Sequence, residues 1–194
     1  MKRILYVLLL LLIVGSSVAY AQENGISLGP VAGFAFWTKT LKSVPIQNLN
    51  LISAGIVFDA EYVRAKILYE GQLGTPEVNS GLGSQQSVDT AYSFLSNGLD
   101  FKVTIPLGKV ISISPLLGAS YDQFTYSKLH LTDVQKEANN GLFALAGLDV
   151  DIILGTRISL SLDSDFGFDF LAFAQNSSII SYKIDTLLTC NFRF

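Results

Sequence analysis

Residues 186–194 read TLLTCNFRF. The even positions Leu188, Cys190, Phe192 and Phe194 carry an apolar face, and the odd positions Thr189, Asn191 and Arg193 a polar one. Successive side chains of a strand point to opposite faces, so the stretch predicts a period-two strand that runs to the last residue. Chain termini are ordinarily polar and frayed unless something ties them down. A strand that alternates to its final phenylalanine needs a neighbour to pair with.

The same alternation recurs upstream. RISLSLDSDFGFDF (157–170) sets Ile158, Leu160, Leu162, Phe166, Phe168 and Phe170 against Ser159, Ser161, Asp163, Asp165, Gly167 and Asp169. Ile180, Tyr182 and Ile184 extend the last strand backwards, opposite Ser181, Lys183 and Asp185. Further segments of this kind start near residues 26, 52, 64, 99, 111 and 142, which makes eight in all. In the first, ISLGPVAGFAFWT, the odd positions are largely small. The connections alternate in length. Short ones are expected near Tyr62-Val63, 107–109 and 154–156, and longer polar ones at 39–50, 74–97, 123–140 and 171–178. LDFKVTIPLGKVISIS (99–114) and LDVDIILGTRISLS (148–161) form a weak internal repeat of strand, LG turn and returning strand. This is the pattern of an up-and-down antiparallel meander.

Composition narrows the setting. The chain has 194 residues, a formal net charge of −3, one cysteine (Cys190) and 49% hydrophobic residues. Its mean hydropathy is +0.42. No basic patch suggests nucleic acid, and a single cysteine builds no intramolecular disulfide framework. Met1-Lys2-Arg3, the apolar run 4–14 and Ala19-Tyr20-Ala21 read as a signal peptide over 1–21, cleaved after Ala21. Residues 22–194 then form a single exported domain, and no later run suits a membrane-spanning helix, which needs about 20 apolar residues.

Alternation alone also fits a soluble barrel with an apolar interior. Here the apolar face is bulky and aromatic while the polar face is rich in Gly, Ser and Ala. An eight-stranded barrel has room inside only for side chains that just fill it, so the bulky face belongs outside. Apolar stretches approach the ten residues with which a tilted strand crosses a bilayer. Phe36, Trp37, Tyr62, Tyr121, Phe170, Phe192 and Phe194 gather near strand ends, like interfacial girdles. The expected fold is all-β: an eight-stranded antiparallel up-and-down transmembrane β-barrel, closed because lipid leaves no backbone group unpaired. Pro30 and Pro115 fall in mid-strand and predict bulges or shortened pairing.

With its terminal aromatic strand, the chain resembles the small outer-membrane β-barrel proteins of Gram-negative bacteria, which include the OmpA transmembrane domain, OmpX and the porin-family barrel domains. The resemblance covers the mature chain as a pattern rather than a motif. It implies a monomer in the cell outer membrane, in contact with its lipid and lipopolysaccharide, and recognition of the strand ending at Phe194 by the barrel-assembly machinery. It implies a structural or interaction role, carried by loops 74–97 and 123–140 facing out of the cell. A narrow channel for ions or small solutes, or a lipid A-modifying enzyme, are the alternatives.

The polar face is charged. Asp59, Glu61, Glu70, Asp100, Asp122, Asp149, Asp151, Asp163, Asp165, Asp169 and Asp185 point inward by parity, as do Arg64, Lys66, Lys102, Arg157, Lys183 and Arg193. Such a set forms a proton or cation path, or a salt-bridged plug; charges withdrawn from water need partners, which favours the plug. A turn centred on Tyr62-Val63 places Asp59 opposite Lys66 and Glu61 opposite Arg64. His130 in LHLTD, the only histidine, reads as a loop surface residue. Its spacing to Thr132 resembles that of barrel deacylases, but their serine is absent. The sequence supplies no catalytic, cofactor-binding or metal-ligating set. Deleting Phe194 is expected to lower the amount inserted in cells while refolding into detergent survives. Equal outer-membrane levels of the two forms would refute this.

Overall fold

A computed structural model describes residues 25–42, 44–74, 77–79, 85–87, 92–126 and 140–194. The expected signal peptide, His130, Thr132 and the central parts of loops 74–97 and 123–140 lie outside these residues. Eight long strands form the barrel: β1 Ser27–Leu41, β2 Val44–Asp59, β3 Val63–Gln72, β4 Tyr92–Lys102, β5 Ile111–Tyr126, β6 Gly141–Ile153, β7 Ile158–Asp169 and β8 Ile179–Arg193. Each pairs antiparallel with its sequence neighbour, and β1 pairs with β8 as well as β2. The sheet is therefore closed, and the expected fold is what the chain adopts. Ser27 lies opposite Arg193 and Leu41 opposite Ile179, so the terminal strand seals the barrel from end to end but for a gap at Gly29 and Pro30. Short pieces at Glu77–Asn79 and Gln85–Ser87 extend the sheet beside β2, and Ile105–Pro106 pairs with β5.

The predicted alternation holds. Phe34, Ile56, Tyr69, Phe101, Leu117, Leu148, Leu162 and Leu188 stand exposed on the outer surface, one from each of the eight strands. A soluble monomer rarely exposes contiguous apolar patches above a few hundred Å². A belt carried by every strand is a lipid-facing surface. Among the described residues no helix is long and apolar enough to cross a membrane; the strands do the crossing.

Both prolines fall where pairing stops. Pro30 pairs with Ile56 of β2, but the β1–β8 ladder skips Gly29 and Pro30 and resumes at Val31↔Thr189 in the same register. Pro115 pairs with Leu148 of β6, while the β4–β5 ladder ends one residue short of it, at Lys102↔Leu116. The missing N–H interrupts one ladder at each site without a bulge. The one register shift involving β1 and β2 lies between Lys39 and Thr40. The two repeat hairpins close alike: Leu107 N donates to Ile111 O at 2.8 Å and Leu154 N to Ile158 O at 3.0 Å. Gly108 supplies the positive φ that the first of these turns requires.

Several expectations are corrected. Residues 39–50 are not a loop: β1 runs to Leu41 and β2 begins at Val44. Likewise β4 starts at Tyr92 and β5 reaches Tyr126, and helix α1, Phe170–Gln175, fills much of 171–178. Toward this end the alternation inverts. Trp37, Leu49, Leu51, Tyr92 and Phe94 point inward and are buried, while Asn48, Asn50 and Ser93 point outward. There the barrel is built like a soluble one, apolar within and polar without. Trp37 is accordingly in the interior, not in a girdle, whereas Phe36, Tyr62, Tyr121, Phe170, Phe192 and Phe194 are exposed as expected.

Small residues let neighbouring strands approach. An added Cβ on Gly55 would collide with the Ile67 carbonyl oxygen, and one on Gly33 with that of Thr186. Backbone cannot rotate aside, so Gly55→Ala is expected to destabilise the barrel by roughly 1–3 kcal/mol, the usual cost of overpacking. Urea unfolding in detergent measures this; an unchanged midpoint would contradict the close approach.

Candidate functional site

The lumen holds the charged side chains. Among the described residues, ten buried carboxylates face inward: Asp59, Glu70, Asp100, Asp122, Asp149, Asp151, Asp163, Asp165, Asp169 and Asp185. Five basic groups face them: Lys39, Arg64, Lys66, Lys102 and Lys183. Three charges expected inside are not buried there: Glu61 and Arg157 are exposed and Arg193 is half-buried. All three sit at or beside the short-turn end, where strands have stopped enclosing the lumen.

Arg64 is the hub of the short-turn half. Its Nη2 contacts Asp59 Oδ2 at 2.8 Å and Asp149 Oδ2 at 2.5 Å, and its Nη1 contacts Asp163 Oδ2 at 3.2 Å. The fork of a guanidinium suits three carboxylates arriving from β2, β6 and β7. Lys66, one inward position further along β3, contacts Asp100 at 2.9 Å, Asp163 at 3.3 Å and also Asp165. Glycine makes room for this cluster: a Cβ on Gly147 would collide with Asp165 Oδ1. The expected pairing of Asp59 with Lys66 and of Glu61 with Arg64 is wrong by two residues. Asp59 lies opposite Arg64, and Val57 opposite Lys66. The turn lies one residue earlier than expected: Ala60 N donates to Val63 O at 2.8 Å, which centres it on Glu61-Tyr62.

Above this cluster Val31, Val57, Leu68 and Leu187 form a small apolar group. Lys183 then gathers Glu70 at 3.0 Å, Asp122 at 2.8 Å and Asp185 at 3.5 Å, from β3, β5 and β8. Ser96 Oγ donates to Asp122 at 2.6 Å. Towards the long-loop end an aromatic layer follows, with Trp37, Leu49, Leu51, Tyr92, Phe94, Phe143 and Leu145 packed together. Trp37 and Phe94 meet edge to face at 4.7 Å, and the indole N–H donates to Ser181 Oγ at 2.9 Å. Lys39 Nζ stands 4.0 Å from the Trp37 ring centroid, a cation–π contact. Strand one gave no sign of this lysine by composition; parity alone would have placed it inside. Asp169 acts on the backbone instead, capping α1 by accepting from Ala172 N at 3.1 Å.

At the short-turn end the lumen opens into a vestibule of about 360 Å³, lined by residues that include Asp59, Lys102, Ser112, Asp151, Ser159 and Asn191. Lys102 is paired with Asp59 at 2.5 Å. On the rim, outside the spanning strands, the hydrogen bond and charge of Glu61 raise the Tyr62 phenol above its ordinary value. No group of three or more His, Cys, Asp or Glu among the described residues is arranged to hold a metal ion.

A closed sheet, a lipid-facing belt and a charged, filled lumen define a small transmembrane β-barrel. Solved structures place it more narrowly. The chain is similar to a major outer membrane protein of Thermus thermophilus, with TM-score 0.55 and 12% identity over 89% of this chain and 100% of that one. It is similar to Neisserial surface protein A, with TM-score 0.51 and 6% identity over 87% and 97%. It is also similar to the outer membrane protein OprG of Pseudomonas aeruginosa, with TM-score 0.51 and 11% identity over 88% and 96%. No family model matches the sequence, and no curated protein matches it significantly. The fold is that of the small eight-stranded outer-membrane barrels, and its apolar belt belongs in lipid.

Replacing Arg64 by Met should destabilise the barrel by about 3–5 kcal/mol, because three carboxylates lose their common partner in a buried setting. Adding Asp149→Asn should recover part of that loss. Urea unfolding of the single and double variants in detergent supplies the coupling, and a value near zero would mean that Arg64 does not hold the cluster.

Proposed function

We propose that the barrel is a plugged scaffold whose work is structural or interactive and is carried by its long loops on the cell exterior. The observation that carries this reading is the lumen. Among the described residues, four of its five buried cations, Arg64, Lys66, Lys102 and Lys183, are spent on its own carboxylates. The fifth, Lys39, lies against the Trp37 ring, and an aromatic layer lies across the long-loop end. A conducting path needs groups that bind an ion weakly and release it; a guanidinium held by three carboxylates does the opposite. Outer-membrane barrels keep short turns on the periplasmic side and long loops outside. On that orientation, the connections from Gln72 to Tyr92 and from Tyr126 to Gly141 belong on the cell exterior, on strands that protrude beyond the membrane. Chemistry on lipid A is not part of this reading. The terminal strand ending at Phe194 fits recognition by the assembly machinery: the phenylalanine is 72% exposed, with its backbone N–H bonded to Ile26 O at 3.1 Å. The chain is read as a monomer, because its lipid belt is continuous and its sheet has no open edge along the membrane.

Two measurements test this together. In planar bilayers the refolded protein should stay at background conductance; stepwise openings of the unaltered barrel would favour a narrow channel instead. In intact cells, on a Cys190→Ser background, Leu82→Cys and Asp133→Cys should each react with a membrane-impermeant maleimide, and Gly155→Cys should not. The reverse pattern would put the loops on the wrong side.

A further inference from the structure

Asp59, Glu61 and Asp151 line the vestibule with Lys102 and Arg193, which leaves it one negative charge in excess, and among these acids only Asp151 is both buried and without an ion pair. Asp151 is 5% exposed and, among the described residues, no ion pair reaches it. In the internal repeat its counterpart is Lys102, which lines the same cavity and is neutralised by Asp59. Ser112 of β5 and Ser161 of β7 lie directly across from Asp151 on either side. Ser161 Oγ donates to Asp151 Oδ1, and Asn191 Nδ2 donates to Ser161 Oγ at 2.6 Å. This relay fixes one carboxylate oxygen and leaves the other without a donor. Asn191 is 1% exposed, lines the cavity, and has no partner for its Oδ1. Ser112 and Ser159 add hydroxyl oxygens to the same wall.

We infer that this vestibule binds a small primary amine, with its ammonium seated on Asp151 and Asn191. An ammonium has three donors and no acceptor, which suits a site made of a carboxylate, an amide oxygen and a hydroxyl. One carboxylate balances one positive charge. A divalent metal of the calcium type takes six to eight oxygen ligands and usually several carboxylates. Here Asp59 is already held by Arg64 and Lys102 and Glu61 stands exposed on the rim, which leaves Asp151 as the one buried free carboxylate, and the cavity far exceeds a bare ion. With Asp151 counted, the lumen and vestibule carry ten buried acids against five bases among the described residues, a field that draws cations to the mouth. The ammonium belongs to a free amine or to the headgroup of an ethanolamine lipid; the chemistry is shared. The inference does not depend on what the loops do.

The test is an NMR titration of the full mature barrel refolded in detergent, using ethanolamine, choline and calcium chloride as separate probes. Ethanolamine should give saturable amide shifts at Asp151, Ser161 and Asn191. Choline has the same charge but no N–H, and should bind at least about tenfold more weakly, the scale of hydrogen bonds to a charged group. Asp151→Asn should abolish the response, and Asn191→Asp, which adds a carboxylate, should strengthen it in a barrel that still refolds. Comparing nanodiscs of phosphatidylethanolamine and phosphatidylcholine separates the sources: shifts in the former without free amine assign the headgroup. Equal responses to choline and ethanolamine, saturation by calcium at the same residues, or no saturable response to ethanolamine would each overturn the inference.

Discussion

Backbone pairing in lipid is the constraint on which the structure rests. A peptide N–H or C=O facing hydrocarbon without a partner costs several kcal/mol, so a spanning sheet has to close. Closure falls to the first and last strands, and the chain therefore stays ordered up to Arg193, which pairs with Ser27. The same constraint governs where proline is tolerated. Pro30 and Pro115 each keep one ladder and sit at a gap or an end of the other.

Eight strands closed in this way leave a narrow lumen, and narrowness dictates the electrostatics. Water is scarce there, so inward charges must compensate one another. Arg64 is placed to do so for three strands at once, and Lys66 and Lys183 repeat the arrangement at other heights. Most of these bridges cross the lumen, although Arg64–Asp59 and Lys66–Asp100 join neighbouring strands. The crossing bridges tie β3 to β6, β7 and β8, which the hydrogen-bond ladder does not join directly. Near the long loops the solution changes from ionic to apolar, with Trp37, Phe94 and Phe143 filling the space.

The likeness to barrels that share 6–12% of their residues with this chain follows from the same physics. Only the period of two, a bulky outer face and short turns at one end are needed to close such a sheet. Those requirements are met by many sequences. The lumen and the loops are free to differ, so the shared fold carries no particular ligand with it.

The alternation of residues by itself determined the eight strands, their outward faces and the inward charge of Asp100, Asp149 or Lys183, because the period of a strand is fixed by the geometry of one residue. The pairing of those charges was decided only by the tertiary structure. A displacement of the first turn by one residue shifts the pairing by two and leaves every parity unchanged, yet it gives Asp59 to Arg64 and sends Lys66 across the barrel to Asp163 and Asp165. The strands around Trp37 and Leu49 were hidden for a related reason. Beyond the membrane the environments of the two faces exchange, so the same period carries the opposite polarity, and only closure of the barrel tells which side is wet.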